Sequence, residues 1–183
     1  MIYIIVAIIA ILLLAFLFIY NNIVKLNLRC ENGLAGIDNQ LKRRIDLIPN
    51  LVEVTKGYAA HEVETLVAVV NARNANATLS QKAKETEEIS KGINSILALS
   101  EGYPDLKANE LFKNLQIELV GTEDKIAFAR QFYNDTVQKY NSAIQVFPNN
   151  IIANMFKFKE REYFQISDAD RENVKIELWY LKV

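Results

Sequence analysis

The stretch Phe112–Phe147, FKNLQIELVGTEDKIAFARQFYNDTVQKYNSAIQVF, decides the fold. Phe112, Leu115, Leu119, Thr122, Ile126, Ala129, Tyr133, Val137, Tyr140 and Ile144 recur at steps of three and four, which lines them up on one helix face over about ten turns. The near-heptad step predicts coiled-coil-like packing against antiparallel neighbours, so this segment is the spine of a helical bundle, closed by Phe147 and Pro148. Upstream, Thr78 followed by Gln81 makes a capping box for a helix whose apolar face is Ile89, Ile93, Ile96 and Leu97, and Gly102-Tyr103-Pro104-Asp105 ends it. Before that, Leu51, Val52, Tyr58, Ala59, Leu66, Val69 and Val70 mark another helix that dissolves in Asn71 to Asn76, because asparagine favours caps and turns. The first helix runs through Ile37, Leu41 and Ile45. Pro49 lacks an N–H and disfavours helical geometry at Ile48, so Asp46 to Pro49 is expected to be a tight turn with proline opening the next helix; a kinked continuous helix is the alternative.

The N-terminal stretch is of another kind. From Met1 to Tyr20 there is no charged residue, amide, serine, threonine, glycine or proline. Roughly 20 residues at about 1.5 Å each span roughly 30 Å, the thickness of a hydrocarbon core. A cleaved signal would need a basic start, a shorter apolar run and small residues at a cleavage site, so an uncleaved anchor is expected. Cys30 does not read as a lipidation site, since Arg29 precedes it and the apolar run ends ten residues earlier. Lys25 and Arg29 follow the span and no basic residue precedes it, which places the soluble part in the cytoplasm of a single-pass protein. A lone cysteine, unable to form an internal disulfide, suits that compartment.

With 21 basic and 22 acidic residues intermixed, the chain has no electrostatic footprint for nucleic acid. The basic cluster Lys42, Arg43, Arg44 would stand roughly 33 Å beyond the headgroups on an upright helix, far outside a Debye length of about 8 to 10 Å. The expectation is an all-α chain: a transmembrane helix over residues 1–20, an antiparallel up-and-down four-helix bundle over residues 21–166, and a C-terminal tail over residues 167–183.

Several motifs carry a family resemblance. Gln40-Leu41-Lys42-Arg43-Arg44-Ile45-Asp46-Leu47-Ile48-Pro49-Asn50-Leu51-Val52 is followed by Lys56-Gly57-Tyr58-Ala59 and His61-Glu62. Tyr103-Pro104-Asp105-Leu106-Lys107-Ala108 comes next, then Thr122-Glu123-Asp124-Lys125-Ile126-Ala127 with Ala129-Arg130, and Tyr133-Asn134-Asp135 through Tyr140-Asn141 to Phe147-Pro148. In this order they resemble the LemA family of bacterial membrane proteins over roughly Tyr20 to Phe164. The resemblance implies an N-terminal anchor and a four-helix up-and-down bundle, and it brings no assigned reaction. Three positions depart from the family pattern: Leu34 in place of an aromatic residue, Leu28 in place of Asn, and Lys157 in place of Gly, the last arguing against a family-like turn near Phe158.

Catalytic chemistry is hard to assemble from these residues. His61 is the only histidine, and Glu62 and Glu64 are not at the Glu-x-x-His spacing of di-iron bundles, so no metal site, cofactor site or catalytic residue is assigned. Cys30 would need His61 as its base; a small packing role fits it better. Glu87 and Glu88, or Glu123 and Asp124, are sequence neighbours that splay apart on a helix. No phosphate-binding glycine loop or nucleophile elbow is present. Gln40, Arg44, Asn50, Thr122, Asn134 and Asn141 fall on or beside the apolar stripes, where they would form an interhelical network or else line a groove for a partner peptide.

The leading functional expectation is therefore a noncatalytic membrane-anchored scaffold or adaptor that presents a bundle surface to protein partners or to copies of itself. A regulatory subunit of a membrane enzyme such as a protease is the alternative, and a carboxylate-and-metal hydrolase is a third class. In the tail, Val174, Ile176, Leu178 and Tyr180 alternate with Lys175, Glu177, Trp179 and Leu181, the period-two pattern of a strand that would pair with neighbouring copies or another protein. A last helical turn or a disordered end is the competing expectation for it.

Overall fold

The computed structural model describes residues 1–58, 60–72 and 77–165, and every regular element among them is helical. The tail expected to form a strand, residues 167–183, lies outside the described residues.

Helix α1 (Ile2–Thr55) is continuous for 54 residues, roughly 80 Å. Its first part is the one stretch among the described residues long and apolar enough to cross a membrane, and none of that stretch is buried by the rest of the protein. The turn expected at Asp46 to Pro49 does not form: Pro49 sits inside α1. Proline there strips the Ile45 carbonyl of its helical donor, at about 3 kcal/mol in a helix interior. Yet Ile48 and Leu51 are 3% and 0% exposed, and holding each such side chain in the core is worth about 1.5 to 3 kcal/mol. Continuing the helix keeps both in place, so packing overrides the local signal. The chain turns instead at Lys56 to Tyr58, around Gly57.

Helix α2 (Ala60–Asn71) stops where the asparagines begin, and α3 (Leu79–Leu99) starts on the expected capping box. The Gln81 amide donates to Thr78 Oγ1 at 3.3 Å while Thr78 N–H donates to Gln81 Oε1 at 2.8 Å. A single 3-10 turn at Ser100–Gly102 leads to α4 (Pro104–Ala108), with proline in the first position, where no donor is missed. Asn109 caps α5 (Glu110–Gln145), its Oδ1 accepting from the amides of Leu111 and Phe112. The predicted stripe is the buried face of α5, with Phe112, Leu115, Leu119, Thr122, Ile126, Tyr133, Val137, Tyr140 and Ile144 all buried.

Helix α5 runs antiparallel to α1. Gly33 lies against Tyr133, so closely that a Cβ on Gly33 would stand 3.3 Å from the Tyr133 Cα, and Arg44 lies against Glu123. Helix α3 runs parallel to α1, since Lys82 reaches Asp38 and Ser90 reaches Arg44. Two apolar clusters follow. The distal one joins Ile48 and Leu51 to Leu66, Ile89, Ile93, Ile96 and Leu119; the other joins Ile23, Cys30 and Ile37 to Ile126, Val137, Tyr140 and Ile152.

Helix α3 begins at about the level of Leu34 on α1, so it leaves the α1–α5 pair uncovered nearer the apolar stretch. After Pro148 the chain forms α6 (Asn149–Met155), then returns as an extended strap, residues 156–165. The reversal between them is the turn that Lys157 argued against. It forms with lysine in the left-handed region, φ 58, at a cost of about 1 to 2 kcal/mol relative to glycine.

Candidate functional site

Two edges of the α1–α5 pair differ in chemistry, and together they hold most of the polar residues singled out in the sequence. Helical geometry assigns the edges: Glu123, Arg130, Asn134 and Asn141 project to one side of α5, and Lys125, Phe128 and Phe132 to the other.

Along the first edge α5 grips the strap by its backbone. Asn141 Nδ2 donates to the Arg161 carbonyl and its Oδ1 accepts from the Arg161 amide, both at 2.9 Å. Asn134 does the same to Phe164, at 3.1 and 2.8 Å. The Tyr140 hydroxyl donates to the Lys159 carbonyl and the Tyr133 hydroxyl to the Glu162 carbonyl. The match is geometric: seven helical residues rise about 10.5 Å, and three extended residues cover about 10 Å. The Tyr-Asn pair repeated at a seven-residue step therefore meets backbone groups repeated at a three-residue step. Burial pushes both tyrosine hydroxyls above their ordinary pKa. Side chains secure the ends of the strap. Arg161 Nε donates to Asn27 Oδ1 at 2.8 Å and its guanidinium pairs with Glu31, while Phe164, 3% exposed, lies under Arg130 at 5.2 Å.

Above the strap, Arg44 is 3% exposed and donates to Ser90 Oγ at 2.8 Å while pairing with Glu123. Burial lowers the pKa of its guanidinium and Glu123 opposes that shift; Arg130 is lowered by burial too, against Glu123 and Glu87. Glu87, Ser90, Glu123, Arg130 and Phe164 line a cleft of about 180 Å³. Adjacent carboxylates do splay apart, but Glu87 and Glu123 from two helices converge there, which sequence neighbourhood could not reveal.

The second edge is open. Asn32, Gly33, Gly36 and Gln40 of α1 face Lys125, Phe128, Ala129 and Phe132 of α5 across a groove of about 400 Å³. Phe128 is 72% exposed and Phe132 44%. Gln40 Oε1 is buried with no hydrogen-bond partner among the described residues.

The remaining sequence candidates scatter. Thr122 donates to the Leu119 carbonyl of its own helix, and Asn50 is exposed. Of the six polar residues, only Arg44 enters an interhelical hydrogen-bond network, while Asn134 and Asn141 grip a peptide that is the chain's own. His61 is exposed on α2, roughly 35 Å along the rod from Cys30, so the two are not brought together. Cys30 is fully buried, and burial pushes its thiol pKa up. No group of three or more metal-ligating side chains occurs among the described residues. The strap itself was missed because nothing in its own composition marks it; the repeated Tyr-Asn pair was the available signal.

The sequence model of the LemA family matches residues 33–178. Protein LemA of Metamycoplasma hominis is 28% identical over 167 residues, covering 87% of this chain and 76% of that protein. Magnetosome protein MamQ 2 of Paramagnetospirillum magneticum is 36% identical over 74 residues, 40% of this chain and 27% of that protein. Within the matched residues, Arg44 of α1 pairs with Glu123 of α5. With its apolar first helix and this match over most of its length, the chain is a membrane-associated protein that belongs to the LemA family.

Proposed function

We propose that the protein is a noncatalytic scaffold, held in the bilayer by residues 1–20, that offers the open edge of the α1–α5 pair to a protein partner or to a second copy of itself. The observation that carries this reading is Phe128, exposed beside Phe132 over a groove lined by Gly33, Gly36 and Gln40. Exposed aromatic side chains around small residues favour close approach of another chain. A photo-crosslinking amino acid placed at Phe128 in the full chain in its own membranes should yield discrete protein adducts, and Phe132→Ser should abolish them. The same probe at Glu88, on exposed α3, is the control. Equal adducts at both positions, or none at Phe128, would overturn the reading.

Orientation belongs to the same proposal. Lys25 and Arg29 are exposed just beyond the span and hold the bundle in the cytoplasm by charge. A carboxyl-terminal reporter that is active only outside the cytoplasm should stay silent; activity would reverse the orientation without touching the scaffold reading.

A further inference from the structure

The register of α5 on α1 brings its last residue, Gln145, to roughly the level of Asn22, about half a turn past the apolar span. The chain then does not turn away. Helix α6 packs on both α1 and α5, with Ile152 and Ala153 buried in the same cluster as Ile23 and Ile144. Its end is tied to the last turns of the span: the Phe156 ring lies 4.7 Å from Tyr20 and 6.1 Å from Phe16, and Phe158 lies 6.1 Å from Tyr20. The buried side of α6 thus fixes its height at the boundary of the apolar helix.

Apart from Asn154, the other side of this segment is apolar and uncovered. Val146, Phe147, Ile151, Met155 and Phe156 are 52%, 79%, 59%, 57% and 45% exposed. In water such a cluster would be costly. It is continuous, through Phe156 against Phe16 and Tyr20, with the exposed apolar surface of residues 2–14. The exposed cations Lys157 and Lys159 follow directly, at the height where headgroup phosphates stand. Tyr20, Phe156 and Phe158 form an aromatic group at the same boundary.

We propose that Val146–Phe156 is a second membrane contact, a wedge whose Phe147, Ile151 and Met155 side chains enter the interfacial zone of the bilayer beside the span. The inference rests on residues 2–20 crossing the bilayer. Its consequence is mechanical: α1 enters the membrane at one point and α6 touches it at another, so the rod cannot swivel freely about a single helix, and its two edges face fixed directions relative to the surface. Insertion of an apolar face by about 5 to 10 Å is the depth expected of such an element.

The test uses the full chain reconstituted in phosphatidylcholine vesicles, with Trp179→Phe removing the native tryptophan. Single tryptophans are then placed by Ile151→Trp, Phe147→Trp, Leu12→Trp and Ile117→Trp. Lipids brominated near the carbonyl end of the acyl chain should quench Ile151→Trp and Phe147→Trp and shift their emission to the blue. Lipids brominated near the chain midpoint should quench Leu12→Trp most strongly. Ile117→Trp, exposed on the distal half of α5, should be quenched by neither. If Leu12→Trp is quenched while both wedge positions emit like Ile117→Trp, the wedge is refuted and the span stands. Failure at Leu12→Trp would remove the span and this inference with it. A wedge that resists lipid quenching and instead crosslinks to a second copy through Ile151→Cys would also overturn it. Two wedge positions guard against a single variant that perturbs packing, and retained helicity qualifies each protein.

Discussion

The two edges of the α1–α5 pair are built from the same two helices and end in opposite states. On one, Asn134, Asn141, Tyr133 and Tyr140 find backbone groups of residues 159–164 to bond, and the edge is closed. On the other, Phe128 and Phe132 face outward and the Gln40 amide oxygen is left without a donor. The difference teaches that the pair's length outruns its neighbours. Helix α3 reaches down only to about the level of Leu34, one turn beyond the Lys82–Asp38 bond, and the strap takes over below that on one side alone. A side-chain ladder that reads only backbone substitutes for the missing helix, while the second edge has no such substitute among the described residues.

The closed edge should break most visibly in Asn134→Ala with Asn141→Ala. Each asparagine satisfies one N–H and one carbonyl, and an orphaned buried group costs about 1 to 3 kcal/mol, so the strap should detach and the melting transition fall steeply. Amide exchange at Arg161 and Phe164 is the direct measurement; protection equal to the parent would mean that Arg161, Phe164 and the flanking tyrosines hold the strap unaided. Lys157→Gly should sharpen the same edge in the opposite direction. It relieves a left-handed lysine and should stabilise the protein by about 1 kcal/mol; no gain would mean that glycine's greater freedom in the unfolded chain cancels the relief. Smallest of all should be the effect of Phe128→Ser on the isolated protein's melting, within about 0.5 kcal/mol, because nothing in the described chain packs over that ring. A large loss there would show that the open edge is covered after all.

Much of the fold was legible in the sequence. The spacing marks the face of α5 residue by residue, Thr78 and Gln81 mark the start of α3, and an unbroken run marks the uncovered apolar stretch of α1. The candidate site was far less legible. Gln40, Arg44, Asn134 and Asn141 stand out as polar residues beside apolar stripes, with an interhelical network or a peptide groove as the alternatives; Arg44 takes the first, while Asn134 and Asn141 grip a peptide of the same chain. Pro49 was read through its local preference, which lost to the burial of Ile48 and Leu51. Lys157 in place of the family's glycine puts a turn near Phe158 in doubt, yet the chain reverses there, held by the contacts of Phe156 and Phe158 on one side and of Arg161 and Phe164 on the other.

The sequence by itself determined what depends on spacing along the chain: helicity, the buried stripe, the caps, and an apolar run long enough for a bilayer. Those are local properties, set by 3.6 residues per turn and by which side chains water rejects. Only the tertiary structure decided that α1 continues through Pro49, that a strap closes one edge, and that α6 sits at the end of the span. Each depends on groups that every residue carries or on contacts between distant segments. A backbone amide gripped by an asparagine leaves no mark on the gripped residue, because any amino acid except proline supplies that donor and every one supplies the acceptor.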